Sequence, residues 1–312
     1  MGKNYFGIDV SKDTFDTKLL SGVRKFDNSE KGFSEFLTHL TPQSHCVMEA
    51  TGPYYMRLAC YLYERGFSVS VINPLVIKRF AQMRMVRAKT DKADAILITE
   101  YANLEQPPLW SPPIWYINEI QQESMVLEGL IKQRTALKNQ KESLNQMPHI
   151  SKKASSTLDY MLEQLEEQIK ELEKSIAQKT KKHCSNMLEV ITSIPGIGIK
   201  TAIQLIIITQ GFSRFETSKQ LSAYVGISPR IYQSGTIKGK TKICKMGMGK
   251  MRALLYVCSW SAINCNKACK ELYERLLAKG KAKKLALIAV ANKLLKQAFA
   301  IGTKLEYYIE TK

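Results

Sequence analysis

Short apolar runs separated by turn-forming residues dominate the first 75 residues of the chain. These runs predict strands over Tyr5–Val10, Phe15–Leu20, Val23–Asn28, Ser44–Ala50 and Phe67–Asn73. The intervening stretches 30–40 and 54–65 have helical periodicity, and helical segments continue to about Leu104. Early strands followed by alternating helix and strand predict an α/β domain with a mixed sheet.

The pattern changes after two proline pairs, Pro107-Pro108 and Pro112-Pro113, which predict a stiff joint. Apolar positions then recur at heptad spacing on both sides of Pro148. They are Leu130, Leu137 and Leu144 before it, and Leu158, Leu162, Leu165, Ile169, Leu172 and Ile176 after it. We expect two long helices that form an antiparallel hairpin or a coiled coil between subunits. A single amphipathic helix packed on its own domain is the simpler alternative.

The region from Met187 to the end is helical in pattern. The turn at residues 193–201 lies between two apolar helical stretches and predicts a helix-hairpin-helix. In that motif Gly196 and Gly198 would let the backbone approach a phosphate, next to Lys200. An ordinary helix–helix turn is the alternative. We therefore predict an α/β domain over 1–106, a linker and coiled coil over 107–183, and a mainly helical domain over 184–312.

Charge is unevenly distributed along the chain. The formal net charge is +18, and residues 184–312 contain 21 Lys plus Arg against six Glu and no Asp. This helical region therefore carries +15 of the total. Such a concentrated positive charge favours a polyanionic partner, most simply nucleic acid, over a generally basic soluble protein.

Cysteine usage and hydropathy predict a cytoplasmic protein. The seven cysteines have no paired metal-ligand spacing, so we expect reduced thiols. We find no apolar run of the roughly 18 residues that a membrane span requires, and no signal-peptide pattern at the N-terminus. A membrane partner is not expected.

Four carboxylates lie where a divalent metal site would need them. Asp9 and Glu49 each end a predicted strand, and Asp91 and Asp94 lie three apart at the start of a predicted helix, on one face. Gathered carboxylates repel one another unless a cation lies between them. Hard oxygen ligands suit Mg²⁺, and two Mg²⁺ ions suit in-line attack on a phosphodiester.

Each acid also has an ordinary structural interpretation. Asp9 could cap a loop, and Asp91 could be a helix N-terminal acid. Asp13 and Asp16 lie nearby, but Asp16 falls within a predicted strand, and we leave both out of the predicted metal site.

A basic loop lies between Pro229 and a helix predicted to begin near Lys250. From Arg230 to Arg252 there are seven Lys or Arg and no acid, which is typical of a phosphate-binding segment. Within it Ser234 precedes Gly235, so its hydroxyl would be accessible. No histidine follows His183, so activation of a serine nucleophile would have to come from elsewhere. Composition alone favours a phosphate contact.

Five motifs occur in a characteristic order along the chain. They are Gly7-Ile8-Asp9-Val10-Ser11-Lys12, Met48-Glu49-Ala50-Thr51-Gly52, Lys89-Thr90-Asp91-Lys92-Ala93-Asp94-Ala95, Ile194-Pro195-Gly196-Ile197-Gly198 and Tyr232-Gln233-Ser234-Gly235. In this order, nearly the whole chain resembles the DEDD transposases of the insertion-sequence-110 type, which are relatives of the Piv DNA invertases.

This resemblance implies an RNase H-like (RuvC-like) N-terminal domain in which Asp9, Glu49, Asp91 and Asp94 bind Mg²⁺. It also implies a C-terminal transposase domain whose nucleophile would be Ser234, forming a covalent phosphoserine intermediate with DNA. In the family a non-coding bridge RNA pairs with donor and target double-stranded DNA. Family members are oligomers up to tetramers, and the serine of one subunit completes the carboxylate site of another.

The residues expected to contact nucleic acid belong to the turn and the basic loop. They are Gly196, Gly198, Lys200, Arg230, Lys238, Lys240, Lys242 and Lys245. Phosphate contacts of this kind fix position without reading sequence, which suits an enzyme whose target is chosen by a guide RNA.

Three rival functions remain at this point. A Holliday-junction-type nuclease would use the same acids with water as the nucleophile. An actin-like or sugar-kinase ATPase would need glycine-rich phosphate loops, and residues 1–105 show none. A non-catalytic RNA-binding protein explains the charge but gives the four acids no role.

Overall fold

The computed structural model describes residues 4–86, 90–230, 233–234, 237–238, 242–244 and 246–310. For the residues of the basic loop, from 230 to 242, the description is limited to the backbone. The chain divides into two compact units, residues 1–112 and 113–312. The domain limits predicted at 106 and 183 remain predictions.

The first unit is built on a five-stranded mixed sheet in the order β3-β2-β1-β4-β5. Its strands are β1 Asn4–Val10, β2 Thr14–Leu19, β3 Gly22–Asp27, β4 Ser44–Glu49 and β5 Ser68–Ile72. The first three pair antiparallel and the last three pair parallel. The predicted mixed α/β architecture is confirmed, and this strand order is compatible with an RNase H-like domain.

Four helices cover the sheet: α1 Glu30–Leu37, α2 Tyr55–Glu64, α3 Pro74–Met83 and α4 Asp91–Glu105. Alternation along β1 directs Ile8 and Val10 into an aromatic-rich core with α1 and α2. The opposite face of the sheet packs on α3 and α4 through residues such as Val47 and Ile98. Gly7 and Asp9 alternate with Ile8 and Val10, so they face α4.

Gly7 allows α4 to lie directly on β1. Its N–H donates to the Thr99 hydroxyl at 3.0 Å. A Cβ at this position would lie 2.3 Å from the Thr99 backbone nitrogen and 2.5 Å from the Ala95 carbonyl oxygen. Because both of these atoms belong to the backbone of α4, they cannot move aside for a side chain. Only glycine at position 7 therefore permits this close approach. The contact sets the distance between α4 and β1, and it therefore positions the acids at the start of α4 relative to the sheet.

We expect Gly7→Ala to destabilise the first unit and to move α4 away from β1. Overpacking of this kind costs about 1–3 kcal/mol, and urea denaturation should show the loss. Gly129→Ala is the matched control, because a Cβ there has nothing within 4 Å and helix propensity favours alanine by up to about 1 kcal/mol. Equal midpoints for Gly7→Ala and the wild type would contradict the proposed role of Gly7.

The second unit begins with two long helices, α5 Trp115–Asn145 and α6 Lys152–Thr192. They are joined by a short connection that contains Pro148. Helix α6 bends at Cys184, whose φ of −132° and ψ of 29° are not helical. Both helices were expected from the heptad pattern and the proline between them.

Ion pairs show that α5 and α6 run antiparallel within one chain. Lys138 Nζ lies 2.8 Å from Glu166 Oε1, and Lys179 Nζ lies 3.1 Å from Glu119 Oε2. Residues near the connection therefore pair with each other, as do residues far from it. Of the predicted heptad positions, Leu158, Ile169 and Ile176 are buried. The hairpin alternative is thus observed, whereas a coiled coil between subunits remains a prediction.

The rest of the second unit is mainly helical. It contains α7 Ile199–Thr209, α8 Ser218–Val225, α9 Gly249–Cys265, α10 Lys267–Ala278 and α11 Lys283–Lys304. Within the described residues, α11 is the one helix long and apolar enough to span a membrane. It packs instead as a core helix, with Val290, Leu294 and Leu295 fully buried.

Candidate active site

Two neighbouring strands end side by side and present the first two acids. Strands β1 and β4 are parallel, with Gly7 opposite Val47 and Ile8 opposite Met48. The next residues are Asp9 and Glu49. Because Asp9 shares its face with Gly7, and Glu49 with Val47, both carboxylates lie on the α4 side of the sheet. The Thr51 hydroxyl donates to Glu49 Oε1 at 3.3 Å.

The other two acids lie in the first turn of α4. Thr90 is the N-cap, and its hydroxyl accepts from the Ala93 N–H at 3.2 Å. Asp91 and Asp94 follow within that turn, where the partial positive charge of the helix N-terminus favours carboxylates. The same helix packs on Gly7, so the strand and helix acids approach one another.

The electrostatics of Asp9 indicate that the other three acids lie near it. The pKa of Asp9 is raised from 3.8 to about 6, first by its own burial and then by repulsion from Asp94, Asp91 and Glu49, with Asp16 contributing least. The other three predicted acids therefore all act on Asp9. Asp9 lies on β1, the central strand of the sheet, and is the acid on which the others act.

These acids fit a divalent cation in donor type and charge. Carboxylate oxygens are the hard ligands that Mg²⁺ prefers, and a cation would relieve the repulsion that raises the pKa of Asp9. In the part of the chain that the structure describes, no three His, Cys, Asp or Glu side chains already converge at metal-ligand distance. The acids therefore match a divalent cation in the type of their donor atoms and in their charge.

The raised pKa of Asp9 predicts that this residue destabilises the metal-free protein at neutral pH. The folded state holds the proton up to about pH 6, and the unfolded state releases it near pH 3.8. The contribution of Asp9 to the free energy of unfolding is therefore fully present below about pH 4, and it is lost as the pH rises through 6. A shift of this size corresponds to about 3 kcal/mol, which solvent screening at a half-buried group reduces to about 1–2 kcal/mol.

We expect Asp9→Asn to unfold at a higher temperature than the wild type at pH 7–8 in EDTA. The difference should shrink towards zero as the pH falls to 4. Thermal unfolding followed by circular dichroism across this range measures it. Asp13→Asn, at an exposed acid of the adjacent turn, should keep the wild-type profile. A constant difference at all pH values would contradict this explanation.

Sequence reasoning missed a second pair of charges beside Asp9. Asp16 of β2 lies directly opposite Asp9 of β1 and is only 3% exposed. Lys25 of β3 lies directly opposite Asp16. The hairpin register was the available signal, because a turn over residues 11–14, centred between residues 12 and 13, places residue 16 across from residue 9.

Within the residues of the basic loop that the structure describes, the backbone forms two short antiparallel pairs. Strand β6 Pro229–Arg230 pairs with β9 Lys242–Ile243, and β7 Gln233–Ser234 pairs with β8 Ile237–Lys238. Ser234 thus lies opposite Ile237 in the second pair. The predicted contacts Lys240 and Lys245 lie outside the described residues. The catalytic role of Ser234 remains a prediction.

The turn between α6 and α7 gives Gly196 a packing role. Its φ is +101°, and a Cβ would lie 2.9 Å from the Ala262 Cα in α9. Gly198 is the N-cap of α7, and a Cβ there would meet nothing within 4 Å. Lys200 Nζ lies 2.7 Å from Glu173 Oε1. Close packing therefore explains Gly196, while Gly198 leaves the backbone open to a ligand.

Two family models match the chain. A transposase model for the DEDD transposases of IS110 matches residues 6–147, and the transposase IS116/IS110/IS902 family matches residues 188–274. The first match contains all four acids, and the second contains the turn and the basic loop.

Full-length relatives agree with these matches. The pilin gene-inverting protein of Moraxella lacunata is 33% identical, over 96% of this chain and 96% of that protein. Its counterpart in Moraxella bovis has the same identity and coverage. The transposase for insertion sequence element IS1111A of Coxiella burnetii is 24% identical, over 97% of this chain and 90% of that protein. The chain therefore belongs to the IS110-type transposases and is a DNA recombinase.

Proposed function

We propose that this recombinase uses Mg²⁺, held by Asp9, Glu49, Asp91 and Asp94, to break and rejoin DNA strands. One observation supports the proposal: Asp9 and Glu49 end neighbouring parallel strands on the face where α4 packs, and Asp91 and Asp94 lie in the first turn of α4. Repulsion from Asp94, Asp91 and Glu49 adds to burial in raising the pKa of Asp9 to about 6. The first unit would then be an RNase H-like (RuvC-like) domain. Two bound Mg²⁺ ions would stabilise charge on the phosphodiester during in-line attack.

Ser234 supplies the nucleophile in this proposal. Its Oγ forms a bond to phosphorus as the bond between phosphorus and the leaving DNA oxygen breaks. The proton lost by the serine hydroxyl passes to solvent, and the leaving oxygen gains one. Attack by a hydroxyl of the second DNA strand on the phosphoserine reverses the step and restores the serine. The phosphoserine bond thereby conserves the bond energy of the phosphodiester until the strands are rejoined.

The surrounding basic residues would hold the nucleic-acid backbone. The segment 230–252 has seven cations and no acid, so phosphate groups are the ligands it suits. By resemblance to the family, we further propose a bridge RNA that selects the DNA sites, and an oligomer in which the serine of one subunit acts at the acids of another. The antiparallel hairpin α5–α6 is a candidate for the subunit contact.

A reconstituted recombination assay tests this function. The protein is combined with donor DNA that includes the regions flanking its gene, with the transcript of those regions, and with a target plasmid. Sequenced joints between donor and target are the expected products. They should disappear when the transcript is scrambled, and compensating changes in its pairing loops should redirect them. Broken ends without joints would favour a metal-dependent nuclease that uses water.

A further inference from the structure

A row of charged side chains crosses three neighbouring strands beneath α4. Asp9 of β1 pairs with Asp16 of β2, and Asp16 pairs with Lys25 of β3. Directly opposed residues in antiparallel strands point to the same face of the sheet. This is the face that carries Gly7, on which α4 packs. The row therefore runs from the centre of the acidic site to a single ammonium group.

Lys25 connects this row to the helix. Its Nζ lies 3.5 Å from Asp16 Oδ2 and 3.8 Å from Asp91 Oδ2. The Asp16 side chain is 4% exposed, whereas that of Asp91 is 67% exposed. A buried carboxylate needs a partner far more than an exposed one does. Asp16 therefore holds Lys25 in place, whereas the contact between Lys25 and Asp91 can be replaced by a contact between Asp91 and another cation.

We propose that Lys25 is an internal counter-ion of the acidic site, which neutralises Asp91 until a divalent cation binds there. Asp16 is then a positioning residue that keeps the ammonium at the edge of the site. This inference rests on the proposed metal site. It gives a reason why carboxylates can gather near Asp9 in the metal-free protein, and it means that metal affinity is set partly by Lys25.

The proposal predicts a gain in metal affinity when the ammonium is removed. Lys25→Met removes both the competitor for Asp91 and a positive charge near the metal. We expect Mn²⁺ affinity, measured by isothermal titration calorimetry on the full chain without nucleic acid, to rise about three- to tenfold. Lys18→Met is the matched control, because Lys18 is an exposed lysine of β2, two residues from Asp16. That variant should bind Mn²⁺ like the wild type.

Wild-type lysine signals provide a second readout, in which metal binding is observed on the protein without any substitution. Methylated lysines are followed by NMR while Mg²⁺ is added, with the Lys25 signal assigned from its loss in Lys25→Arg. The Lys25 signal should shift at the concentration at which metal binds. Absence of metal binding to the wild type would refute the proposed metal site. Normal binding with an unmoved Lys25 signal, or with unchanged affinity in Lys25→Met, would overturn the counter-ion role alone.

Discussion

Ser234→Ala is expected to abolish covalent protein–DNA complexes and to reduce strand exchange by about a thousandfold or more. Alanine has no oxygen that can bond to phosphorus, so the phosphodiester cannot be stored on the protein. The acids and the basic loop would remain, and binding of DNA should be nearly unchanged. A nicked DNA substrate that traps the intermediate makes the adduct visible on a denaturing gel.

Ser228→Ala is a suitable control for this experiment. Ser228 lies just before the basic loop, and its backbone carbonyl accepts the Cys244 N–H at 3.2 Å. Loss of its hydroxyl should leave both adduct formation and strand exchange intact. Adducts of normal yield with Ser234→Ala would eliminate this residue as the nucleophile. Metal-dependent cleavage at the wild-type rate without adducts would indicate that water attacks instead.

Asp9→Asn is expected to reduce metal-dependent DNA cleavage by about 10³- to 10⁵-fold. Asp9 is the acid on which Glu49, Asp91 and Asp94 all act, so a neutral amide here removes charge from the centre of the site. The folded protein should be at least as stable as the wild type without metal, for the reason given by its raised pKa. Single-turnover cleavage with saturating Mg²⁺ or Mn²⁺ measures the effect.

Asp13→Asn is the control for this substitution. It makes the same chemical change at an exposed acid four residues away, in the turn between β1 and β2. Its cleavage rate should match the wild type. A wild-type rate for Asp9→Asn, in a preparation proven free of wild-type protein, would remove Asp9 from the catalytic set. Higher stability together with lost activity is the result expected of an acid whose charge interacts with a bound cation.

Much of the first unit could be predicted from sequence because its signals are local. Apolar runs specified the five strands to within one or two residues, and Thr90 with its two acids specified the start of α4. The approach of α4 to β1 could not be predicted in this way. It depends on the missing side chain of Gly7 and on the buried hydroxyl of Thr99, which are 92 positions apart.

Asp16 was excluded for a reason that proved incomplete. A carboxylate inside a predicted strand is ordinarily expected to face solvent, whereas Asp16 is 3% exposed. Its burial is possible because Lys25, from the next strand, lies across from it. The pairing of Asp16 with Lys25 follows only from the register of neighbouring strands. The alternation of residues within one strand does not reveal it.

The heptads posed a different problem, because the same spacing stabilises helices of one chain or of two. Ion pairs between α5 and α6 show a hairpin within the chain, and they involve charges whose partners the heptad pattern does not predict.

In the turn after α6, Gly196 was assigned to phosphate contact from its motif alone. Its contact with Ala262 gives it a packing role that only the tertiary structure reveals.

Anomalous X-ray diffraction from crystals soaked in Mn²⁺ is the most direct test of the central claim. The account predicts anomalous density bounded by the carboxylates of Asp9, Glu49, Asp91 and Asp94, with Lys25 moved away from Asp91. It also predicts no such density in crystals of Asp9→Asn. Cleavage-competent crystals whose Mn²⁺ lies elsewhere, with these four acids unliganded, would contradict it.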